Sequence, residues 1–321
     1  MAGRIKKRKT LSYAKWGYIF ILPFFIAYAI FQLYPLITTF IYAFQDVQKT
    51  ADSIYKINKG WNDFQNFSYL FKSNDWLKYF GNTLLIQFMG FIPQLIVSLV
   101  LAVWFTDSRL KLKGAGFFKA VIYMPNLIMA AAMAQLFSAM FQRTGPLGQL
   151  FFPNDYGLKY VWACKWIVAF INFMMWFGNT TILLMAGVMG IDDSIFEAAT
   201  IDGAGPVRTF KDITMPLLMP IFLYVFLTSL IGGIQMFDIP QNLIPKDSGR
   251  GGTRHQIKTI IMYLNDFISG SNKNYGRAGA LSILLFLLTA VLSFAVFKTT
   301  TTDMAAAKAK RKAKKAKKVN A

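Results

Sequence analysis

Six long stretches of this 321-residue chain contain no Asp, Glu, Lys or Arg, and the charged residues lie in the segments between them. At a rise of about 1.5 Å per residue, each stretch is long enough to form a helix that crosses a hydrocarbon layer of about 30 Å. Helices of soluble proteins are usually nearer 12 residues, roughly three turns, which argues against a large soluble core. The pattern predicts an all-α integral membrane protein with six transmembrane helices, at about 16–45, 79–106, 120–142, 166–191, 213–237 and 278–297.

Composition excludes several functional classes. Apolar residues make up 55% of the chain and charged residues only 16%, against about 25% charged residues in a typical soluble domain. Single copies of Cys and His (Cys164 and His255) rule out a disulfide framework or a zinc cluster built on these residues, and we expect no metal site. Uncharged spans argue against an ion or proton pathway, and no grouping of His, Asp and Ser indicates an intramembrane enzyme. We therefore expect no catalytic residues.

Charge also predicts an orientation. The first, third, fifth and seventh segments outside the spans carry 21 Lys and Arg in 73 residues, whereas the other three carry 14 in 96. The denser set is expected on the cytoplasmic side, which predicts a protein of the cell (plasma or inner) membrane with both termini in the cytoplasm. Basic tails, 1–15 and 298–321, flank a membrane domain at 16–297 and are predicted to rest on anionic lipid headgroups. Nucleic acid is not expected as a partner, because no aromatic residues interleave the C-terminal lysines.

One segment predicted to be cytoplasmic, 192–212, departs from this rule because it holds five acidic residues and two basic ones. Its local pattern predicts a helix, a turn and a second helix. Ser194 and Glu197 fit a capping box, with Ser194 as the N-cap and Glu197 at the third helical position. Gly203 is suited to a left-handed helix end, and Pro206 to the first turn of the next helix. The segment is expected to fit a groove on a partner; the alternative is that Glu197 serves only as a helix cap.

A spaced motif runs through this segment into the fifth span, and its residues are Glu197, Ala198, Ala199, Gly203, Ile213, Met215 and Pro216. The spacing reproduces the signature E-A-A-x3-G-x9-I-x-L-P, with Met in place of Leu. The wider form of that signature also matches at Asp202, Ala204, Phe210 and Pro220. On these residues the chain resembles the permease subunits of binding-protein-dependent ABC importers, most of all the maltose-type first permease of the carbohydrate branch.

Shorter matches extend the resemblance over most of the chain. They are Asn82-Thr83-Leu84 in the second span, Tyr123-Met124-Pro125 in the third, Gly145-Pro146, Phe237-Asp238, and Tyr275-Gly276-Arg277-Ala278-Gly279-Ala280 before the last span. The resemblance implies the type I importer permease fold, with 192–212 as a coupling helix docked on a separate ATPase.

The resemblance also implies partners. They are cytoplasmic ABC ATPase subunits, a second homologous permease subunit and an extracytoplasmic solute-binding protein. This chain has no G-x-x-x-x-G-K-[ST] loop, so ATP and Mg are expected on the ATPase and no cofactor on this chain. By analogy with the family, Glu197 pairs with a basic residue of the ATPase, and Gly203 forms the turn that enters its cleft.

Uncharged polar side chains inside the spans are candidates for the solute path, because hydrocarbon penalises unpaired polar groups. Amide and aromatic groups suit a sugar, by hydrogen bonds to hydroxyls and stacking on the ring face. These candidates are Asn172, Trp176, Asn179, Gln87, Gln94, Gln235 and Asp238. The alternative is ordinary hydrogen bonding between helices.

Three functions remain open at this stage. The first is a permease for a sugar or oligosaccharide. The second is the same machinery for another solute, such as a polyol, glycerol phosphate or a peptide. The third is a membrane scaffold or signalling subunit that transports nothing.

Overall fold

The computed structural model describes residues 14–50, 53–106, 113–153, 155, 157–244, 253–269 and 273–319. Residues 1–13 of the predicted N-terminal basic tail, 1–15, therefore lie outside the described residues. The side chains of 299–319, in the predicted C-terminal basic tail, lie outside them as well. The described chain is mostly helical, as predicted. Its α-helices are α1 Ala14–Tyr28, α2 Tyr34–Ala43, α3 Gln65–Ser73, α4 Asp75–Thr106, α5 Ala115–Tyr123, α6 Ala130–Phe141, α7 Pro146–Phe151, α8 Val161–Met189, α9 Asp193–Ile201, α10 Pro206–Thr209, α11 Met215–Ile234, α12 Asp238–Leu243, α13 Thr253–Ile257, α14 Ile260–Ser269 and α15 Tyr275–Val319.

Short segments of other types complete the secondary structure. Two π-helical turns, Ala29–Leu33 and Phe210–Thr214, continue directly into α2 and α11, and two 3-10 turns cover Met124–Leu127 and Gly157–Lys159. The three strands are β1 Gln45–Thr50, β2 Ser53–Trp61 and β3 Lys273–Asn274.

Five continuous helical stretches of the described residues are long and apolar enough to cross a membrane: Lys15–Ala43, Asp75–Thr106, Val161–Met189, Pro206–Ile234 and Tyr275–Lys298. The span predicted at 120–142 is instead a pair of helical segments, Ala115–Leu127 and Ala130–Phe141, bent by 89°. Pro125 lacks the N–H that would continue α5, and Ile128 and Met129 are extended. Counting the pair as one broken span brings the number to six.

The chain forms two compact units, and the first comprises the described residues up to Tyr69 together with 267–283. Its sheet has the strand order β2-β1-β3, with β1 antiparallel to both neighbours. Sequence analysis did not predict this sheet, because its strands are polar and lack a clear apolar face. Within the unit, Gly279 of α15 lies so close to α2 that a Cβ would be 2.8 Å from the Thr39 carbonyl oxygen. Gly276 is similarly close to the carbonyl oxygen of Gln45, at 2.5 Å, which explains the glycines of the 275–280 motif.

The second unit, 70–266 with residues from 284 onward, contains α4 and α8 side by side. Their contacts advance together along both helices, from Lys165 Nζ with Asn82 Oδ1 at 3.1 Å to Ser98 Oγ with the Phe177 carbonyl oxygen at 2.8 Å. The two helices are therefore parallel. Helix α11 returns antiparallel to α8, because its beginning packs on the end of α8 at Gly187. We call the end of this unit where α4 and α8 finish the elbow end, and the other the opposite end.

Two apolar clusters hold these helices together, in keeping with the apolar stripes of packed helices. Near the elbow end, α4, α8 and α11 bury Phe91, Leu184, Met185, Leu218 and Val225. Toward the opposite end, α6, α8 and α12 bury Ala134, Phe137, Ile167, Ile171, Ile239 and Leu243. The connection between α8 and α11, which carries the spaced motif, therefore projects from the elbow end.

Candidate functional site

We call residues 192–212, which connect α8 to α11, the elbow. Its first helix, α9, begins at Asp193. Asp192 is the N-cap, and its Oδ1 accepts a hydrogen bond from the backbone N–H of Ser194 at 2.9 Å. Hydrogen bonding to the side chain of Ser194, and after it to the Ser194 backbone N–H, lowers the pKa of the Asp192 carboxyl below its ordinary value. The prediction that Ser194 caps this helix is therefore wrong: the competing acidic residue two positions earlier takes that role.

The helix ends at a left-handed glycine, as predicted. Gly203 has φ +70°, and its N–H donates to the carbonyl oxygen of Thr200 at 3.0 Å. The N–H of Ala204 donates to the carbonyl oxygen of Ala199 at 2.9 Å. This pair of bonds is a Schellman motif, which satisfies carbonyl groups that the helix end would otherwise leave open. Because a Cβ on Gly203 would meet no atom within 4 Å, only the backbone conformation requires glycine there.

The surface of the elbow combines acid with exposed apolar side chains. Glu197 and Asp202 are exposed, and no hydrogen bond or ion pair of the described residues involves the carboxylate of Glu197. Ile201 is 87% exposed and Val207 80% exposed, while Ala199 is buried and anchors α9 on the unit. The other motif residues are exposed or half-buried: Ala198, Ala204, Phe210, Ile213 and Pro216.

The second half of the elbow leads without interruption into a membrane-length helix. Gly205 is the N-cap of α10, and Pro206 stands in its first turn. The Arg208 guanidinium lies 3.7 Å from the Asp212 carboxylate, one turn further on. The helix continues through the π-helical turn to Ile234, so it begins earlier than the predicted span at 213. The elbow thus forms a short, firmly connected link between α8 and α11.

Three of the proposed solute-path residues join helices to one another. Asn172 Nδ2 donates to Gln87 Oε1 at 3.3 Å, and Gln87 Nε2 donates to the carbonyl oxygen of Ser229 at 2.9 Å. Gln94 Nε2 donates to Thr180 Oγ1 at 2.8 Å. All three amides are buried. For these residues the alternative interpretation, hydrogen bonding between helices, describes what the side chains do.

The other four path candidates remain accessible. Trp176 is 46% exposed, Asn179 is half-buried one turn further along α8, and Gln235 and Asp238 are exposed at the end of α11. Asn172, Trp176 and Asn179 recur at helical spacing, yet only the first is turned into the bundle. Amide and indole groups at the edge of the packed face can bind hydroxyl groups and the faces of rings.

A polar cluster at the opposite end was missed as a site by sequence reasoning. Asn82 Nδ2 donates to the carbonyl oxygen of Gln256 at 2.8 Å, while Asn82 Oδ1 accepts from the Lys165 ammonium. Thr83 Oγ1 accepts from the backbone N–H of Ile260 at 2.9 Å. The signal that could have found this cluster is Asn82-Thr83-Leu84, which tethers the segment containing α13 and α14 to α4.

His255 completes this cluster. Its ring nitrogens lie 3.0 and 3.3 Å from the Tyr79 hydroxyl. Burial and the positive charges of Lys258 and Lys78 lower the pKa of His255 below its ordinary value. Among the described residues, no group of three or more His, Cys, Asp or Glu side chains could hold a metal ion.

Comparison with known proteins connects these features to one family. The sequence pattern of the family described as "Binding-protein-dependent transport system inner membrane component" matches residues 66–299. The lactose transport system permease protein LacF of Rhizobium radiobacter is 28% identical over 292 residues, which cover 88% of this chain and 92% of that protein. The crystal structure of a bacterial ABC transporter involved in the import of the acidic polysaccharide alginate matches with a TM-score of 0.75 at 20% identity. That match covers 90% of this chain and 96% of the other.

A second crystal structure is of a bacterial alginate ABC transporter in complex with an alginate pentasaccharide-bound periplasmic protein. It matches with a TM-score of 0.69 at 20% identity, over 88% of this chain and 92% of the other. Both structures share the helical architecture described above.

Proposed function

The chain belongs to the family of binding-protein-dependent transport system inner membrane components, and we propose that it is the transmembrane permease subunit of an ATP-driven importer for a sugar or oligosaccharide. The observation that carries the proposal is the exposed acidic and apolar elbow between two membrane-length helices, in which the Glu197 carboxylate has no hydrogen bond or ion pair with any described residue. A protein–protein contact combines such apolar anchors with a charge that a partner can pair.

The elbow is proposed to dock in a cleft of a separate ATPase subunit. Ile201 and Val207 would supply the apolar contact, and Glu197 would accept hydrogen bonds from a basic side chain of the ATPase. Within the elbow Arg208 already faces Asp212, so the surplus charge on α9 is negative and suits a basic partner. ATP and Mg would be bound by the ATPase, because this sequence lacks the phosphate-binding loop.

Movement of the docked elbow would reach the membrane helices through two short routes. The first is the continuous helix Pro206–Ile234, and the second is the tight connection from Gly190 to Asp192 at the end of α8. Both routes lead to the interface where Gly187 packs on Leu218 and Ile221. A rigid-body displacement of the elbow would therefore tilt α8 and α11 together and change access to the solute path.

Relatives support the solute class. The names of similar proteins refer to lactose and to the acidic polysaccharide alginate, both carbohydrates. Among the solute-path candidates, Trp176 and Asn179 are the accessible α8 residues, and their chemistry suits a sugar ring and its hydroxyls. A second permease of the same family and an extracytoplasmic binding protein are proposed as further subunits, the latter because a structural neighbour was solved with such a protein. A polyol, glycerol phosphate or peptide would need the same machinery and different side chains on the path.

The decisive experiment measures assembly with the ATPase and solute uptake in the same variants. Glu197→Gln is expected to weaken co-purification of the ATPase, and Glu197→Lys to abolish both co-purification and uptake. Thermal unfolding should stay unchanged, because the Glu197 carboxylate makes no hydrogen bond or ion pair in the part of the chain that the structure describes. Gln149→Lys, a gain of one positive charge at an exposed residue of the opposite end, is the matched control. Normal assembly and uptake with Glu197→Lys would contradict the proposal.

Orientation has a separate test. We propose that the elbow end is cytoplasmic, since its segments are richer in Lys and Arg. The single native thiol, Cys164, is buried, so it contributes little background to maleimide labelling. A cysteine introduced by Asp193→Cys should react with a membrane-impermeant maleimide only after the cells are broken open. Labelling of intact cells would contradict this orientation.

A further inference from the structure

A large apolar cavity, open on one side to the surface of the chain, lies at the opposite end of the second unit, outside both the elbow and the solute-path residues. Its volume is about 600 Å³, within the range of cavities that hold small molecules. The lining comes from α6, α7 and the first turns of α8: Phe137, Phe141, Leu147, Phe151, Phe152, Ala163, Trp166, Ile167 and Phe170. All nine side chains are apolar or aromatic.

Ring contacts hold the walls of the cavity in place. Phe137 packs on Phe141 and on Phe170, with ring centroids 6.4 and 6.0 Å apart, and Phe141 packs on Phe151 at 6.4 Å. The turn before α7 is equally fixed, because a Cβ on Gly148 would lie 1.9 Å from the carbonyl oxygen of Gln142. The cavity is therefore a built feature of the fold, with a wall that cannot collapse without breaking these contacts.

The chemistry of the lining decides what can fill it. A cavity without polar groups does not retain water, which needs two or more hydrogen-bond partners. A sugar would leave its hydroxyls without hydrogen-bond partners there, which strongly disfavours its binding. Leaving the space empty forfeits the dispersion contacts of six aromatic rings. The occupant is therefore apolar.

The depth of the cavity points to the source of that occupant. At about 1.5 Å per residue, Phe170 lies roughly 13 Å along α8 from its start at Val161. One leaflet of a bilayer has a hydrocarbon depth of about 15 Å, half the thickness of the core. Exposed Trp162 and Trp166 mark the interfacial end of this stretch, where indole side chains concentrate. The α8 part of the lining, from Ala163 to Phe170, extends roughly 10 Å along the helix, which fits within the depth of the acyl chains of one leaflet.

A cationic residue, Arg143, lies in the chain between two residues of the lining, Phe141 and Leu147. Arg143 is exposed at the tip of the turn that joins α6 to α7, which the Gly145 N–H closes by donating to the Gln142 carbonyl oxygen at 2.9 Å. None of the ion pairs of the described residues involves Arg143. A guanidinium binds phosphate oxygens with two parallel hydrogen bonds, so it suits a phospholipid headgroup above a chain lying in the cavity.

We propose that this cavity is a binding site for an anionic phospholipid, whose acyl chain lies between the aromatic side chains and whose phosphate binds Arg143. The inference requires only that α8 crosses a membrane. It stands or fails independently of the solute and of the ATPase.

Photolabelling tests the site. The full chain, purified with its co-expressed partners, is reconstituted with phosphatidylglycerol that carries a diazirine in its acyl chain, and adducts are mapped by mass spectrometry. We expect adducts on peptides within 137–151 and 163–170. Ala163→Trp fills the cavity and should lower labelling there by about tenfold, the effect of losing about 1.4 kcal/mol of binding free energy. Ala132→Trp, the same change at an exposed α6 residue outside the lining, should leave it unchanged.

Two further variants keep the test decisive. Leu147→Trp fills the cavity from the α7 side and replaces Ala163→Trp if the latter lowers thermal stability. Arg143→Gln should abolish the preference for phosphatidylglycerol over phosphatidylcholine while adducts remain. Equal labelling of the wild type and both filled variants would overturn the proposal. A photoreactive amino acid that replaces Phe151 offers a second check: crosslinking to another polypeptide instead of to lipid would also overturn the proposal.

Discussion

The side chain of Gln87 on α4 occupies the space that a Cβ on Gly233 of α11 would need. Such an atom would lie 2.0 Å from Cδ of Gln87 and 2.3 Å from its Oε1. The close approach lets Gln87 Nε2 reach the Ser229 carbonyl oxygen, while its Oε1 accepts from Asn172 on α8. One buried amide therefore connects three membrane-length helices, and a glycine makes its position possible.

We predict that Gly233→Ala destabilises the protein because it displaces this amide. Overpacking of this kind costs about 1–3 kcal/mol, and the broken hydrogen bonds add to it. The drop should appear as a lower midpoint of thermal unfolding in detergent. Gly232→Ala is the matched control, since a Cβ on Gly232 meets no atom within 4 Å.

A double variant separates steric conflict from other effects of the added methyl group. Gln87→Ala removes the conflicting side chain, so Gly233→Ala should cost much less in that background than in the wild type. Additive losses from the two changes would contradict the explanation.

The elbow illustrates what the sequence could predict. The left-handed conformation of Gly203 and the placement of Pro206 followed from local rules, because each depends on backbone geometry within a few residues. The N-cap was misassigned because Asp192 and Ser194 are both good caps and compete for one helix start. Propensity alone does not rank two such residues two positions apart.

The path residues show where sequence reasoning stops. Helical spacing grouped Asn172 with Trp176, yet the first is bonded to Gln87 and the second is exposed. The direction in which a polar residue points depends on which helices become neighbours, and this is a tertiary property. For the same reason the apolar runs predicted membrane-crossing helices but not the break near Pro125.

The conformation of Gly203 predicts a graded response to substitution. A left-handed backbone costs a residue with a Cβ about 1–2 kcal/mol, so Gly203→Ala should loosen the end of α9 and lower uptake. Asn tolerates this conformation better, and Gly203→Asn should retain more uptake than Gly203→Ala. Transport assays in cells at matched expression check the order. Equal uptake by both variants would show that the left-handed turn does not limit coupling.

The broken span depends on a second close approach. A Cβ on Gly178 of α8 would lie 2.1 Å from the carbonyl oxygen of Ile122, just before the turn at Met124–Leu127. Backbone atoms cannot give way as a side chain can, so Gly178→Ala should destabilise the protein by about 1–3 kcal/mol or more. The unfolding midpoint in detergent measures the loss. Gly116→Ala on α5 is the control, because its Cβ would meet no atom within 4 Å, and an equal loss from both variants would refute the steric explanation.

His255 predicts a loss of stability in mild acid. Its pKa is lowered in the folded protein from an ordinary value of 6.5, first by burial and then by Lys258 and Lys78, against smaller opposing effects of Asp75 and Asp266. The unfolded chain therefore binds the proton more readily, and stability that is complete above about pH 6.5 falls as the pH drops below that value. Because the chain has one histidine, His255→Gln should flatten the dependence of the unfolding midpoint between about pH 7 and pH 5. Lys78→Gln, which removes one of the two repelling charges, should reduce the loss without abolishing it. An unchanged pH dependence in His255→Gln would assign the acid sensitivity to carboxyl groups instead.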